Sequence, residues 1–329
     1  MNHPNVFTSV LGPTITEYVA LKRALGRRYD GEQRVFAALD AFLATTGSDL
    51  TPDTFTRWCR TQEHLTSTVR RHRMRLVRHL ALYRRRREPS CYVPDAVLFP
   101  VRHQPAQPYI FTHAEIARLL QQANALKSSR DCPLRSQLFS LAITLLYTAG
   151  LRRGELLRLT LGDYDQRQGT LRIRESKFHK SRLVPLSADA IEQLDRYIEA
   201  RKQRRLPAAP QTALVWNKRG GGRAYSATGF YSTLRRLFQA AAIRKPDGRL
   251  PRIHDLRHGF AVHALQRWYS AGEDVQAKLP LLSIYMGHVS ITSTQYYLKW
   301  TEPLANAASE RFAKHCAHLV QPLQIPGGE

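Results

Sequence analysis

Cysteine is scarce in this chain, and acid is scarcer than base. Four cysteines (Cys59, Cys91, Cys132 and Cys316) lie far apart in 329 residues, with no Cys-x-x-Cys pair and no Cys/His ligand spacing. That pattern argues against a zinc site or a disulfide framework and fits a reducing compartment. No apolar run approaches the roughly 20 residues that cross a bilayer, and the N-terminus lacks a basic stretch followed by an apolar core. Neither a membrane span nor a leader is expected, and the protein is read as cytoplasmic. There is no phosphate-binding glycine loop, internal repeat or low-complexity tract. Only 26 acidic residues face 50 lysines and arginines, a formal net charge of +24. Such an excess works against compaction unless a polyanion neutralises it, which makes nucleic acid the expected partner.

With 43% hydrophobic residues, the chain has material for two domains, each with its own core. The first ninety residues read as helices. Thr14 and Glu17 have capping-box spacing, Val35, Phe36, Leu39, Phe42 and Leu43 recur at helical spacing, and Thr51-Pro52 opens a third helix. A fourth helix, from Ser67 to Arg87, has an apolar face of Val69, Met74, Val77, Leu80 and Ala81. Arg70, Arg71, Arg73, Arg75 and Arg78 stand on it with no acidic partner in the segment. Like charges three and four apart repel in an isolated helix, and phosphate contact would remove that penalty, so these five are read as DNA-facing. Five prolines between Glu88 and Pro108 suggest an extended linker. A second domain opens at the Thr112/Glu115 capping box. It contains an apolar helix from Leu134 to Tyr147 stopped at Gly150, and a hairpin of Gly169–Arg174 with Arg182–Leu186.

Four segments carry chemistry. His254 and Arg257, three apart near a helix start, would share a face suited to an anion. Arg152 follows Gly150, with Glu155 three residues on as a supporting carboxylate and Arg153 as the adjacent alternative. Lys177 and Lys180 sit in the hairpin turn, where a lysine of tunable pKa can protonate a poor oxygen leaving group. Tyr296 and Tyr297 follow His288, and a tyrosine needs a base and nearby cations before it can attack a phosphate. Residues alone leave the choice between the two tyrosines open.

The ordered set resembles the tyrosine recombinase (phage-type integrase) family over most of residues 110 to 300. The family's G-L-R-x-[SG]-E segment is present as Gly150-Leu-Arg-Arg-Gly-Glu155, which points to Arg152. Its lysine hairpin is similar to Lys180-Ser-Arg182-Leu-Val-Pro-Leu186, which implies Lys177. The H-x-L-R-H segment gives His254 and Arg257, and Gly-His followed nine residues later by tyrosine gives His288 and Tyr297. The chain departs from the pattern at Glu175-Ser176, at Phe178-His179, at Gly259 and in a longer stretch between Arg257 and His288, with RWYSAGEDVQAKLP as the insertion. Its wording is closer to recombinases of transposons and integrated elements, including those found in sets, than to chromosome resolution.

The resemblance implies a mainly α fold with a small antiparallel β-sheet: a helical core-binding domain over 1–90, a linker over 91–108, and a mixed α/β catalytic domain over 109–329. It implies that Tyr297 attacks a phosphodiester, leaving a 3′-phosphotyrosyl link and a free 5′-hydroxyl. Arg152, Arg257 and His288 would hold the phosphate, His254 would take the tyrosine proton and Lys177 would protonate the leaving oxygen, without metal or ATP. Double-stranded DNA at specific sites is the implied partner, bound by a homotetramer on two sites or by a hetero-oligomer with related recombinases. A C-terminal helix from Glu302 to Leu319 would dock on a neighbour or on its own domain. A type IB topoisomerase and a non-catalytic DNA-binding regulator are the rival readings.

Overall fold

The computed structural model describes residues 7–100, 107–174, 181–222, 224–288, 290–295 and 297. The chain divides into two compact units, Met1–Ala106 and Gln107–Glu329.

In the first unit four helices, α1 (Gly12–Ala24), α2 (Asp30–Thr46), α3 (Pro52–Arg60) and α4 (Ser67–Arg84), enclose one core. Phe36, Leu39, Trp58, Val77 and Leu80 lie in it with almost no exposed surface. α3 opens as its sequence suggests: Thr51 is extended, its hydroxyl accepts the Thr54 N–H, and Pro52 occupies the first turn. α1 opens earlier than expected. Pro13 stands in its first turn, where a fixed φ and a missing N–H cost nothing, so Thr14 lies inside the helix and does not cap it.

The arginine-rich helix differs from expectation in two respects. Its buried face uses Leu76, while Val69 remains 40% exposed. Of the five arginines assigned to DNA, three are engaged within the unit. Arg71 donates to the Pro100 carbonyl at 2.8 Å, Arg78 to the Pro94 carbonyl and Arg73 to the Gln62 side chain. Arg75 is exposed and Arg70 half-buried. The cause lies in the proline-rich segment, which is not a free tether over 91–100. Tyr92, Val93 and Phe99 pack on the core, a 3-10 turn (Ala96–Leu98) is capped by Asp95, and the carbonyls of this stretch take up the guanidinium donors. Lower on the same helix Arg84 is paired with Asp49 at 2.6 Å and with Glu88 at 2.7 Å.

In the second unit, α5 (His113–Asn124) starts with the expected reciprocal cap between Thr112 and Glu115. The apolar α6 (Arg135–Thr148) runs through the middle of the core, packed against α5, α8 (Ala188–Gln203) and α11 (Ile253–Ser270). Between α6 and α8 lie α7 (Arg153–Arg158) and a three-stranded antiparallel sheet of β1 (Tyr164–Asp165), β2 (Thr170–Ile173) and β3 (Arg182–Pro185). Ile173 pairs with Arg182 and Thr170 with Pro185, which turns Leu171, Ile173 and Val184 inward. β1 is only two residues long, too short for any alternation to reveal it. α9 (Arg219–Gly222) and α10 (Ala227–Ala240) complete the middle of the unit. The RWYSAGEDVQAKLP stretch ends α11, turns at Gly272, and begins α12 (Val275–Met286), whose start is capped by Asp274. α12 closes at Gly287, with φ +66°, and α13 (Thr292–Gln295) follows. Among the described residues, no helix is long and apolar enough to cross a membrane.

One glycine fixes the geometry of the site. Gly150 ends α6 in the left-handed region (φ +59°), and a Cβ placed there would lie 2.6 Å from the Phe260 ring. Gly150→Ala is therefore expected to lower the stability of the second unit by about 1–3 kcal/mol in urea unfolding. Gly31→Ala, in the first turn of α2 with open space around it, is the neutral comparison.

Candidate active site

Three chain turns deliver the site: the break between α6 and α7, the first turns of α11, and the exit from α12. Glu155 is where the first of these is tied down. Its carboxylate is 3% exposed and accepts the Arg152 N–H at 2.9 Å, which caps α7, and the Arg152 guanidinium at 2.7 Å. Arg182, at the start of β3, grips the same carboxylate with two nitrogens, each at 3.0 Å. Burial works to raise the Glu155 pKa. The bonds and charge of Arg182, with the bonds from Arg152, override it and hold the group at about 2. Each arginine is also fastened to the α12 exit: Arg152 to the Gly287 carbonyl at 2.8 Å and Arg182 to the Tyr285 carbonyl at 2.8 Å.

Arg257, on α11, is 1% exposed and donates to the carbonyls of Gly150 and Met286, both at 2.5 Å. It therefore joins the first and third turns, and its guanidinium lies 4.0 Å from Glu155. Burial, followed by repulsion from Arg152, pushes its pKa below the ordinary value. The guanidinium remains charged.

The histidines surround the tyrosine. Tyr297 is 3% exposed, its hydroxyl is 3.1 Å from His258 Nδ1, and its ring is stacked with His288 at 6.2 Å between centroids. His288 Nδ1 is 2.8 Å from the Thr294 hydroxyl, which orients the ring. His254 meets His258 edge to face at 4.6 Å. Burial first, then Arg257 and Arg152, pushes His288 down to about 4. His254 keeps an exposed edge, but protein surrounds enough of its ring that lost hydration, then Arg257, Arg252 and Arg152, pushes it down to about 4. All are neutral imidazoles at physiological pH, able to accept or donate a hydrogen bond.

Arg152, Glu155, His254, Arg257, His288 and Tyr297 are thus gathered in one place. Arg153, the alternative to Arg152, is exposed. Lys177 and Tyr296 lie outside the described residues, as does the expected helix from Glu302 to Leu319. Two participants were not singled out from the sequence. Arg182 stands in the Lys-Ser-Arg-Leu-Val-Pro-Leu segment that follows Lys177, and His258 is the second histidine of HDLRH. The reach of Arg182 across 27 positions to Glu155 depends on the sheet register, which no local pattern encodes. Among the described residues, no cluster of three or more His, Cys, Asp or Glu could hold a metal ion.

The Phage integrase family model matches residues 110–302, and the chain belongs to that family, the tyrosine recombinases. The "Putative integrase/recombinase y4rB" of Sinorhizobium fredii is 32% identical over 312 residues, covering 93% of this chain and 98% of its own length. Tyrosine recombinase XerD of Ralstonia nicotianae is 29% identical over 204 residues, 62% of this chain and 60% of that protein. Among solved structures, the Tn1549 transposon integrase in complex with transposon right end DNA superposes with a TM-score of 0.61. At 19% identity, over 91% of this chain and 99% of that one, the likeness establishes the fold.

The depressed Glu155 pKa sets a stability window. A glutamate at 4.5 when unfolded and about 2 when folded stabilises the native state fully above about pH 5, and that contribution is lost as pH falls through about 2. Its size is on the order of 3 kcal/mol. Glu155→Gln is expected to lower urea stability near pH 6 by that order, with the difference from the unsubstituted chain shrinking towards pH 2.

Proposed function

We propose that the chain cleaves and rejoins duplex DNA at specific sites through a covalent 3′-phosphotyrosyl intermediate. The observation that carries this reading is the Tyr297 hydroxyl lying beside neutral imidazoles, in a pocket where Arg152 and Arg257 are held by a buried carboxylate and backbone carbonyls. A phosphodiester has one negative charge to place and two non-bridging oxygens to hold. Arg152 and Arg257 supply that grip, with His288 donating a further hydrogen bond. Tyr297 then attacks phosphorus, the bond to the 5′-oxygen breaks, and Lys177 returns a proton to that oxygen. The energy of the broken ester is kept in the tyrosyl ester, so attack by a 5′-hydroxyl of a second strand reverses the step and exchanges partners.

Duplex DNA is the proposed substrate, met by the helical first unit through Arg70 and Arg75 together with whichever of Arg71, Arg73 and Arg78 exchange their internal partners for phosphate. Strand exchange between two sites requires four tyrosines, which supports a tetramer of this chain or a mixed assembly with related recombinases. The near full-length likeness to the Sinorhizobium fredii protein favours the DNA of an integrated element as the target. The scarcity and scatter of cysteine support a reducing, cytoplasmic setting.

The test uses a nicked duplex bearing the terminal sequence of the element that carries the gene, from which a short fragment diffuses away after cleavage and traps the adduct. The unsubstituted chain is expected to give a DNA-linked protein band, while Tyr297→Phe binds the duplex and gives none. Arg152→Ala is expected to slow adduct formation by about a hundredfold to a thousandfold. An adduct persisting in Tyr297→Phe would exclude this nucleophile, and relaxation of supercoils without joining between sites would exclude recombination.

A further inference from the structure

The family resemblance gives the tyrosine proton to His254, but among the described residues it is His258, one turn along α11, whose ring nitrogen lies within hydrogen-bond distance of the Tyr297 hydroxyl. We propose that His258 holds the Tyr297 hydroxyl and accepts its proton as the tyrosine attacks. This rests on the reading of Tyr297 as nucleophile.

The geometry supports it in three ways. His258 Nδ1 is 3.1 Å from the tyrosine oxygen, within the reach that direct proton transfer requires. The ring centroids are 5.4 Å apart at 59°, so the ring edge and not its face meets the phenol. His254 lies edge to face against His258 at 4.6 Å, which fixes the orientation of the acceptor. With the ring proton on Nε2, Nδ1 presents a lone pair to the phenolic O–H.

The electrostatics make the transfer depend on substrate. Among the described residues, the charged and titratable groups acting on His258 include His254, Asp255 and Arg257 of α11 and Arg252 at its start, with Tyr297 against the ring. Burial first, then His254, lowers His258 to about 3, so in the DNA-free protein its ring is neutral and can accept a proton. A phosphate seated between Arg152 and Arg257 brings negative charge to the same pocket and stabilises the imidazolium. The Tyr297 O–P bond then forms, the P–O5′ bond breaks, the tyrosine proton moves to His258, and the leaving oxygen takes its proton from a separate acid.

The test is single-turnover adduct formation by the full chain on the nicked duplex, with His258→Asn in place of histidine. Asparagine keeps an acceptor near the Nδ1 position but cannot take the proton. At neutral pH the rate is expected to fall by about a hundredfold or more with binding retained. The loss should shrink about tenfold per pH unit as hydroxide supplies the phenolate. It should persist on a duplex with a 5′-bridging sulfur, which needs no acid for its leaving group. If the asparagine variant does not bind the duplex, His258→Gln is measured in the same way. A rate equal to the unsubstituted chain, a pH-independent loss, or full recovery on the sulfur substrate would overturn the assignment. Absence of any adduct from the unsubstituted chain, or an adduct surviving Tyr297→Phe, would instead remove the nucleophile reading on which it rests.

Discussion

The carboxylate of Glu155, enclosed by Arg152 and Arg182, is the interaction on which the rest of the site depends. A buried carboxylate is tolerable only if its lone pairs are filled, and here two guanidiniums and one backbone N–H fill them. The arrangement binds the start of α7 to the first residue of β3. Because both arginines also hold carbonyls at the end of α12, the segment leading to His288 and Tyr297 is anchored to the same point. Breaking this one cluster would loosen three chain turns together. Glu155 thus positions Arg152 and Arg182.

Beyond that anchor the pocket is left with more cation than anion. Among the described residues, buried Arg257 meets two backbone carbonyls and a carboxylate 4.0 Å away, and His254, His258 and His288 are kept neutral. Such a pocket is strained in its electrostatics until an anion enters. The same burial and positive charge that keep these imidazoles neutral leave the pocket suited to an anion.

Much of this was legible in the sequence, for identifiable reasons. Capping at Thr51 and Thr112, the apolar α6, the stop at Gly150 and the inward pair Leu171 and Ile173 depend on nearest neighbours and appear where their patterns place them. The α1 start was misplaced because the Thr14/Glu17 spacing competes with Pro13, and proline decides. The internal engagement of Arg71 and Arg78 is not legible because their partners are backbone carbonyls 29 and 16 residues away, and carbonyls carry no sequence signature. His258 and Arg182 were passed over for a related reason: their contacts are long-range products of the α11 face and the sheet register. The spacing of HDLRH offers two histidines, and only the fold shows which one reaches the tyrosine oxygen.

One tyrosine, placed by this cluster, is the proposed point of covalent attachment to DNA. The most direct measurement digests the trapped protein–DNA adduct, formed with a chelator present, and identifies the linked peptide by mass spectrometry. The expected result is a nucleotide attached through its 3′-phosphate to Tyr297. Attachment at Tyr296 or at any other side chain, or strand cleavage that leaves no linked peptide and needs added metal, would contradict it.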